Sequence, residues 1–149
     1  AREYLGALLE CGIRTFVDLT QPQELDSYVP ILALEAGDRA LAVRYHRHPI
    51  RDADIPSERG MREILATIRA SIERGDPVYV HCWGGIGRTG TVVGCLLRQH
   101  GLSNTEALEV ITLKWRSMEK RLRYPNSPEW PDQYAFIERW SRRSGETGR

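Results

Sequence analysis

At 149 residues, with 41% hydrophobic and 28% charged content, the chain has the make-up of an ordinary globular domain, able to bury roughly 68–70% of its unfolded surface. A formal net charge of +1 gives no broad basic surface for a polyanion, and no apolar run reaches the length that spans a bilayer. The opening residues, Ala1-Arg2-Glu3-Tyr4, do not read as a signal peptide, and a helix starting almost at residue 3 leaves room for an earlier segment.

In chain order, Tyr4 to Glu10 has helical spacing and Cys11-Gly12 ends it. Ile13 to Leu19 predicts a strand centred on Thr15-Phe16-Val17. Thr20-Gln21-Pro22 turns the chain, Leu25 to Leu34 is weakly helical, and Gly37-Asp38 breaks that helix. Leu41 to Tyr45 predicts a second strand; its exit, His46 to Pro56, is too punctuated for regular structure and predicts a surface loop. Ser57 is placed to cap a helix running to Arg74, with Ile64, Leu65 and Ile68 on one face. Gly75-Asp76-Pro77 leads into a third strand at Val78-Tyr79-Val80.

A helix from about Arg88 to His100 follows, then one opened by Ser103 with Glu106 at capping-box spacing and running to about Ser117. Pro125, Pro128 and Pro131 mark a loop before a last helix, from about Asp132 to Trp140, that packs through Tyr134, Phe136, Ile137 and Trp140. The polar tail from Ser141 is expected to fray. Strands interleaved with helices, without a repeat or a second core, predict one α/β domain over residues 1–149 with a largely parallel central sheet flanked by helices. Cys11, Cys82 and Cys95 are an odd count without metal spacing, which fits a reducing, cytoplasmic setting. Cys11 and Cys95 read as core or near-core fillers.

Residues His81 to Gly90, between the third strand and the next helix, read HCWGGIGRTG. A cysteine ends the strand, an arginine opens the helix, and three glycines lie between them. Such a turn can point successive backbone N–H groups inward, forming an anion-binding nest closed by the positive end of a helix. The field that holds an oxyanion also favours a thiolate at Cys82, so one loop supplies phosphate cradle and nucleophile together. Arg88 adds a planar fork of donors suited to two phosphoryl oxygens. Nucleotide-binding turns fit poorly. A phosphate-loop NTPase closes on Gly-Lys-Ser/Thr, and this loop has Gly87-Arg88-Thr89. A dinucleotide fold places its glycines after the first strand with an acid about 20 residues on, whereas nothing acidic occurs here before Glu106.

His-Cys, five residues, Arg and Ser/Thr is the signature of the cysteine-dependent protein tyrosine phosphatase superfamily, and His81-Cys82 to Arg88-Thr89 matches it throughout. The chain resembles the compact dual-specificity phosphatases more than the larger tyrosine-only enzymes. Among them it resembles the kinase-associated branch, which acts on cyclin-dependent kinases and shares the aromatic-Gly-Gly-aliphatic-Gly-Arg loop (Trp83 to Arg88) and a His-Pro-Ile-x-Asp segment (His48 to Asp52). The resemblance runs from about Gly12 to Trp140. It implies a dual-specificity phosphatase-like fold with additional short strands near the N-terminus, and chemistry with no metal and no cofactor.

The resemblance also implies roles. Cys82 attacks phosphorus to give a thiophosphoryl intermediate; the main-chain N–H groups of Trp83, Gly84, Gly85, Ile86, Gly87 and Arg88, with the Arg88 guanidinium, hold the moving phosphoryl oxyanion. Thr89 hydrogen-bonds the sulfur and helps it leave when water attacks. His81 shapes the loop through a hydrogen bond to backbone and is not a base. A proton donor must come from elsewhere. Asp52 and Asp54 both lie in the punctuated loop, and spacing does not choose between them; the resemblance favours Asp52, because His48-Pro49-Ile50-Arg51-Asp52 follows the family's acid-loop pattern position for position. Gln133 corresponds to a glutamine that positions the hydrolytic water in tyrosine-specific relatives, although an exposed helical glutamine without a role fits the pattern equally. Arg116, Lys120, Arg121 and Arg123 form a basic stretch, either a receiver for a second phosphate or an acidic segment, or a solvated face.

Trp83 and Ile86 occupy the variable cradle positions and carry no charge, where phosphoinositide-directed relatives tend to carry lysines. The expected partner is a phosphorylated protein or peptide, phosphotyrosine first, with phosphoserine and phosphothreonine as well if the pocket is shallow. The alternatives are a phosphoinositide, an RNA 5′-triphosphate (for which a balanced surface charge gives little grip), and a phosphate-binding module without turnover.

Overall fold

The computed structural model describes residues 1–141, apart from the Arg121 side chain; the tail beyond Ser141, with its expected fraying, lies outside the described residues. Three strands alternate with six α-helices among them: α1 (Arg2–Glu10), β1 (Thr15–Asp18), α2 (Val29–Asp38), β2 (Arg44–Arg47), α3 (Glu58–Glu73), β3 (Val78–His81), α4 (Gly87–Gln99), α5 (Asn104–Arg116) and α6 (Pro131–Arg139). A single 3₁₀ turn, Glu119–Leu122, joins α5 to α6. The sheet has the order β2-β1-β3 with both pairings parallel, and Thr15 lies beside Arg44 on one side and Val78 on the other. The expected α/β architecture with a parallel sheet is the one observed. The additional short strands near the N-terminus do not occur among the described residues; α1 stands there instead.

β1 is the central strand, and all four of its residues are buried. Alternation along it sends Phe16 to one face and Val17 to the other, and the interior divides accordingly. Phe16 packs with Leu5, Leu9, Leu32 and Ala36 beneath α1 and α2. Val17 and Leu19 pack with Ile64, Leu65, Ile68, Val92, Cys95 and Ile137 beneath α3, α4 and α6. The one core expected from the sequence is thus two apolar clusters separated by the sheet. Cys95 is a core filler as expected, but Cys11 caps the exposed end of α1 and is solvent-facing.

Element boundaries moved where packing overrode local pattern. Leu41 and Val43 pack against the α1–α2 cluster, while pairing begins only at Arg44 and continues through Arg47, into the segment read as loop. An edge strand accommodates so polar a stretch because one side of its ladder faces solvent, and the Tyr45 hydroxyl and Arg47 guanidinium both donate to Asp18. α2 starts four residues later than its apolar spacing suggests and carries Pro30 in its first turn, where the missing N–H has no helical partner to lose. It runs through Gly37 and ends at Asp38, and Ala40, two residues on, adopts the left-handed region at φ 52°.

The topology also marks a site. β1 exits toward α2 on one face of the sheet, and its neighbour β3 exits toward α4 on the other. Adjacent strands whose chains leave in opposite directions open a crevice at their carboxyl ends, the usual ligand position of open α/β sheets. Cys82 follows β3 directly into that crevice. No helix among the described residues is long and apolar enough to cross a membrane.

Candidate active site

Cys82 lies one residue beyond β3, and α4 begins five residues later at Gly87. The first N–H groups of a helix have no intrahelical partner, so α4 turns its positive end toward the loop. Gly85 takes φ 73°, a conformation that L side chains resist, and this brings its N–H to within 3.2 Å of the Cys82 sulfur, to which it donates. The Thr89 hydroxyl donates to the same sulfur at 3.1 Å. Cys82 is 7% exposed: its back rests on the α3–α4–α6 cluster, while its side chain lines a small recess shared with Asp52, Ile86, Arg88 and Gln133. Trp83, by contrast, is 65% exposed at the rim.

Arg88 is buried and almost fully engaged. Its Nη2 donates to Glu24 Oε1 at 2.6 Å, and its Nη1 donates to Glu24 Oε2 at 2.9 Å and to the Ile50 carbonyl at 3.0 Å. The Asp52 carboxylate lies 3.3 Å from Nη2. This leaves Nε–H and the outer edge of Nη2 as the donors available to an oxyanion. Hydrogen bonding from Arg88 holds the Glu24 carboxyl below its ordinary range, outweighing the opposing effect of burial. Burial acts against the Arg88 charge, yet Glu24, Cys82 and Asp52 outweigh it and hold the guanidinium proton more firmly than usual. Glu24 was not among the residues expected at the site. The available signal was its position in the loop leaving β1, at the crevice the topology defines; nothing in its spacing linked it to Arg88.

The two candidate acids separate in space. Asp52 lines the recess with Cys82 and faces Arg88, with its carboxylate 73% exposed. Asp54 contributes only its backbone carbonyl, 3.4 Å from the Gln133 side-chain nitrogen, while its carboxylate accepts the N–H of Ile55 at 2.8 Å. Ala53 between them adopts the left-handed region at φ 62°.

Beneath the loop, His81 is held from both ring nitrogens. A carbonyl can only accept, so Nδ1 donates to the Cys82 carbonyl at 3.2 Å; Nε2 lies 2.7 Å from the Tyr28 hydroxyl and in a neutral ring accepts from it. The contact to backbone expected of His81 is present. Asp18, buried below it, is stripped of solvent, which favours its neutral form; hydrogen bonds from Thr20 and Tyr45 reverse that and keep its carboxyl below the usual range.

Gln133 is fully buried, which removes the reading of an exposed helical glutamine. Its side-chain oxygen accepts the N–H groups of Glu129 and Trp130 at 3.1 and 3.2 Å, and its amide packs so closely on α4 that a Cβ at Gly87 would lie 2.8 Å from its nitrogen. Ser127, also absent from the expected set, donates to the Ile86 carbonyl at 2.8 Å and ties the α6 approach to the cradle. In the basic stretch, Lys120 donates to the Gly84 carbonyl at 2.9 Å. Among the described residues no group of three or more His, Cys, Asp or Glu is gathered as a metal site.

Known proteins place this arrangement in a family. The family model described as "Tc-R-P: Polymorphic toxin system, DSP-PTPase phosphatase" matches residues 1–102. Cyclin-dependent kinase inhibitor 3 of Homo sapiens is 32% identical over 91 residues, covering 60% of this chain and 42% of its own length. Putative tyrosine phosphatase 067L of Invertebrate iridescent virus 3 is 25% identical over 146 residues, covering 93% of this chain and 58% of its own. The chain therefore spans about half the length of these two curated relatives. Tk-PTP in its active form has the same fold, with a TM-score of 0.73 and 28% identity over 96% of this chain and 87% of its own. The family match reaches through the whole of the cysteine loop and α4, and the chain belongs to the DSP-PTPase phosphatases of polymorphic toxin systems.

Proposed function

We propose that this phosphatase hydrolyses phosphotyrosine in proteins through a cysteinyl-phosphate intermediate, without a metal ion, and that it acts within a polymorphic toxin system. The carrying observation is the pair of donors converging on the Cys82 sulfur beside an arginine already fixed in place. In the first step the thiolate attacks phosphorus, the P–O ester bond breaks, and Asp52 gives its proton to the departing oxygen. Arg88 and the loop N–H groups hold the equatorial oxygens as charge builds on them. In the second step water attacks the phosphocysteine, Asp52 takes its proton, and the S–P bond breaks. The Gly85 N–H and Thr89 hydroxyl then stabilise the sulfur as it leaves with the bonding pair. Gln133 borders the recess where that water must lie and acts as a positioning residue, both through its own amide and through its hold on the Asp54 backbone.

Phosphotyrosine is favoured because the rim carries an exposed indole and no lysine at the variable cradle positions, and because the viral relative is named a tyrosine phosphatase. A thiolate nucleophile needs a reducing compartment, and we place the reaction in the cytoplasm on that ground. The test is release of p-nitrophenol from p-nitrophenyl phosphate with and without chelator, followed by phosphotyrosyl peptide, phosphothreonyl peptide, inositol phosphate and RNA 5′-triphosphate in parallel. Chelator-insensitive turnover lost in Cys82→Ser, with the phosphotyrosyl peptide the best of the four, supports the reading. Oxyanion binding without turnover, or preference for the inositol phosphate or the RNA, overturns it.

A further inference from the structure

A groove of about 480 Å3 opens beside the catalytic recess, and the two share a boundary formed by Asp52, Gly84, Ile86 and Glu129. The residues that line the groove but not the recess are Trp83, Lys120, Arg123 and Tyr124. The carboxylates thus lie at the end nearest Cys82, and the outer end is aromatic and cationic. Tyr124 is 40% exposed and Trp83 65% exposed.

Three features give the outer end its chemistry. Lys120 is moored by its bond to the Gly84 carbonyl, so its ammonium charge is fixed over the cradle rim instead of ranging through solvent. The Arg123 guanidinium lies 5.6 Å from the centre of the Tyr124 ring, a cation–π contact that orders the charge without neutralising it. Neither cation has a carboxylate within salt-bridge distance among the described residues. Two ordered, uncompensated cations next to two exposed rings, on the path from the phosphate cradle outward, complement an anion carried next to an aryl group.

We infer that the groove is a substrate subsite for an acidic phosphotyrosyl segment. With the phosphate in the cradle, the tyrosyl ring passes Trp83, and a negatively charged side chain close to it in sequence meets Lys120 and Arg123. The anion is a carboxylate or a second phosphate, which the two cations would accept alike. This deepens the proposed function and rests on it for the direction in which substrate enters.

The test uses binding, so that it stands whether or not the protein turns substrate over. Fluorescent phosphotyrosyl peptides flanked by Asp, by phosphoserine or by Ala are titrated into the Cys82→Ser protein and into Cys82→Ser with Arg123→Glu or Lys120→Glu added. The expected result is tighter binding of the Asp and phosphoserine peptides than of the Ala peptide by about three- to tenfold, the size of two partly exposed charge pairs. The preference should shrink at high salt and be lost in each charge-reversed protein, where one cation and one carboxylate remain. Because each ratio is taken within one protein, a general loss of affinity cancels. Equal binding of the three peptides overturns the subsite. So does an acidic preference that survives both reversals, or binding of an inositol polyphosphate that depends on Lys120 and Arg123 while the peptides do not discriminate. Failure of p-nitrophenyl phosphate turnover in the unmutated protein would instead count against the phosphatase reading alone.

Discussion

The carboxylate of Glu24 takes two N–H donors of Arg88, 64 residues further along the chain, at 2.6 and 2.9 Å. The pair joins the loop leaving β1 to the first turn of α4, and so fixes the guanidinium before any ligand arrives. A flexible arginine would lose rotamer freedom on binding; this one has already lost it. Glu24→Gln keeps the shape and removes the charge. It should lower kcat/KM by roughly 10- to 100-fold, by loosening the donor fork that stabilises the transition state. It should also lower stability by about 1–3 kcal/mol, since a buried guanidinium keeps its place with a weaker partner.

The pH dependence of that stability follows from the direction of the Glu24 shift. Its carboxyl is held below the ordinary value of 4.5 in the folded protein, so the folded state favours the ionised form. The stabilisation is fully present above the unfolded value and is lost as pH falls through the lowered one. Denaturant unfolding of the parent and of Glu24→Gln should therefore differ by a constant amount above about pH 5 and converge below it. A gap that widens toward acid would show that Glu24 is not the ionised partner of Arg88.

The acid should be identified by its leaving-group dependence. Both carboxylates accept an N–H of their own loop, but only Asp52 borders the recess, 3.3 Å from Arg88. Asp52→Ala should lower kcat/KM for an alkyl phosphate by about 10²–10⁴-fold, and for an aryl phosphate by much less, because a phenoxide departs with less need of a proton. Asp54→Ala should stay within about threefold on both, the range of a surface change. Equal losses on the two substrates in Asp52→Ala would remove it as the donor.

How much of this could be read from the chain depends on how far each feature reaches in sequence. The cradle was legible because its chemistry is local: Cys82, Gly85, Arg88 and Thr89 fall within one strand–turn–helix, and their spacing sets their geometry. Ser57 and Ser103 were legible as helix caps for the same reason, and both side chains accept the expected N–H. Glu24, Ser127 and Tyr28 were not, because each meets the loop through tertiary contact alone, across 41 to 64 positions in the case of Ser127 and Glu24. The second strand was misplaced because Leu41 and Val43 alternate correctly for a strand yet bury against α1 and α2 without pairing. The reading of Gln133 stays open between a positioning role and an exposed one, although Phe136 and Ile137, three and four positions on, put it on the buried face of α6; what the pattern could not show is its packing against Gly87 on another helix.

Thr89 offers a kinetic signature. Its hydroxyl reaches the sulfur at 3.1 Å, and that bond matters most when the sulfur is regaining its charge as the S–P bond breaks. Thr89→Val should slow breakdown of the intermediate more than its formation, by roughly 10- to 100-fold. A burst of p-nitrophenol approaching one equivalent should then precede a slow steady state. A variant slowed without a burst would place the hydroxyl in the first step instead.

Two helical glycines make a contrast that tests the packing of α4 on α6. A methyl at Gly94 would lie 2.5 Å from Ile137 Cδ1 and 2.8 Å from its Cγ1, against a side chain that is completely buried. A methyl at Gly37 in α2 would meet nothing within 4 Å. Both changes gain helix propensity, worth up to about 1 kcal/mol, but only Gly94→Ala must also displace a core side chain, at about 1–3 kcal/mol. Gly37→Ala should therefore leave the midpoint of urea unfolding unchanged or raise it, by about 0.5 kcal/mol or less so near a helix end. Gly94→Ala should lower stability by about 1–2 kcal/mol, and Gly94→Ala with Ile137→Val should recover part of the loss, giving a favourable coupling in the double-mutant cycle. If Gly94→Ala proved as stable as the parent, α6 would not be seated on α4 at this distance, and the wall that holds Gln133 against Gly87 would have to be repositioned with it.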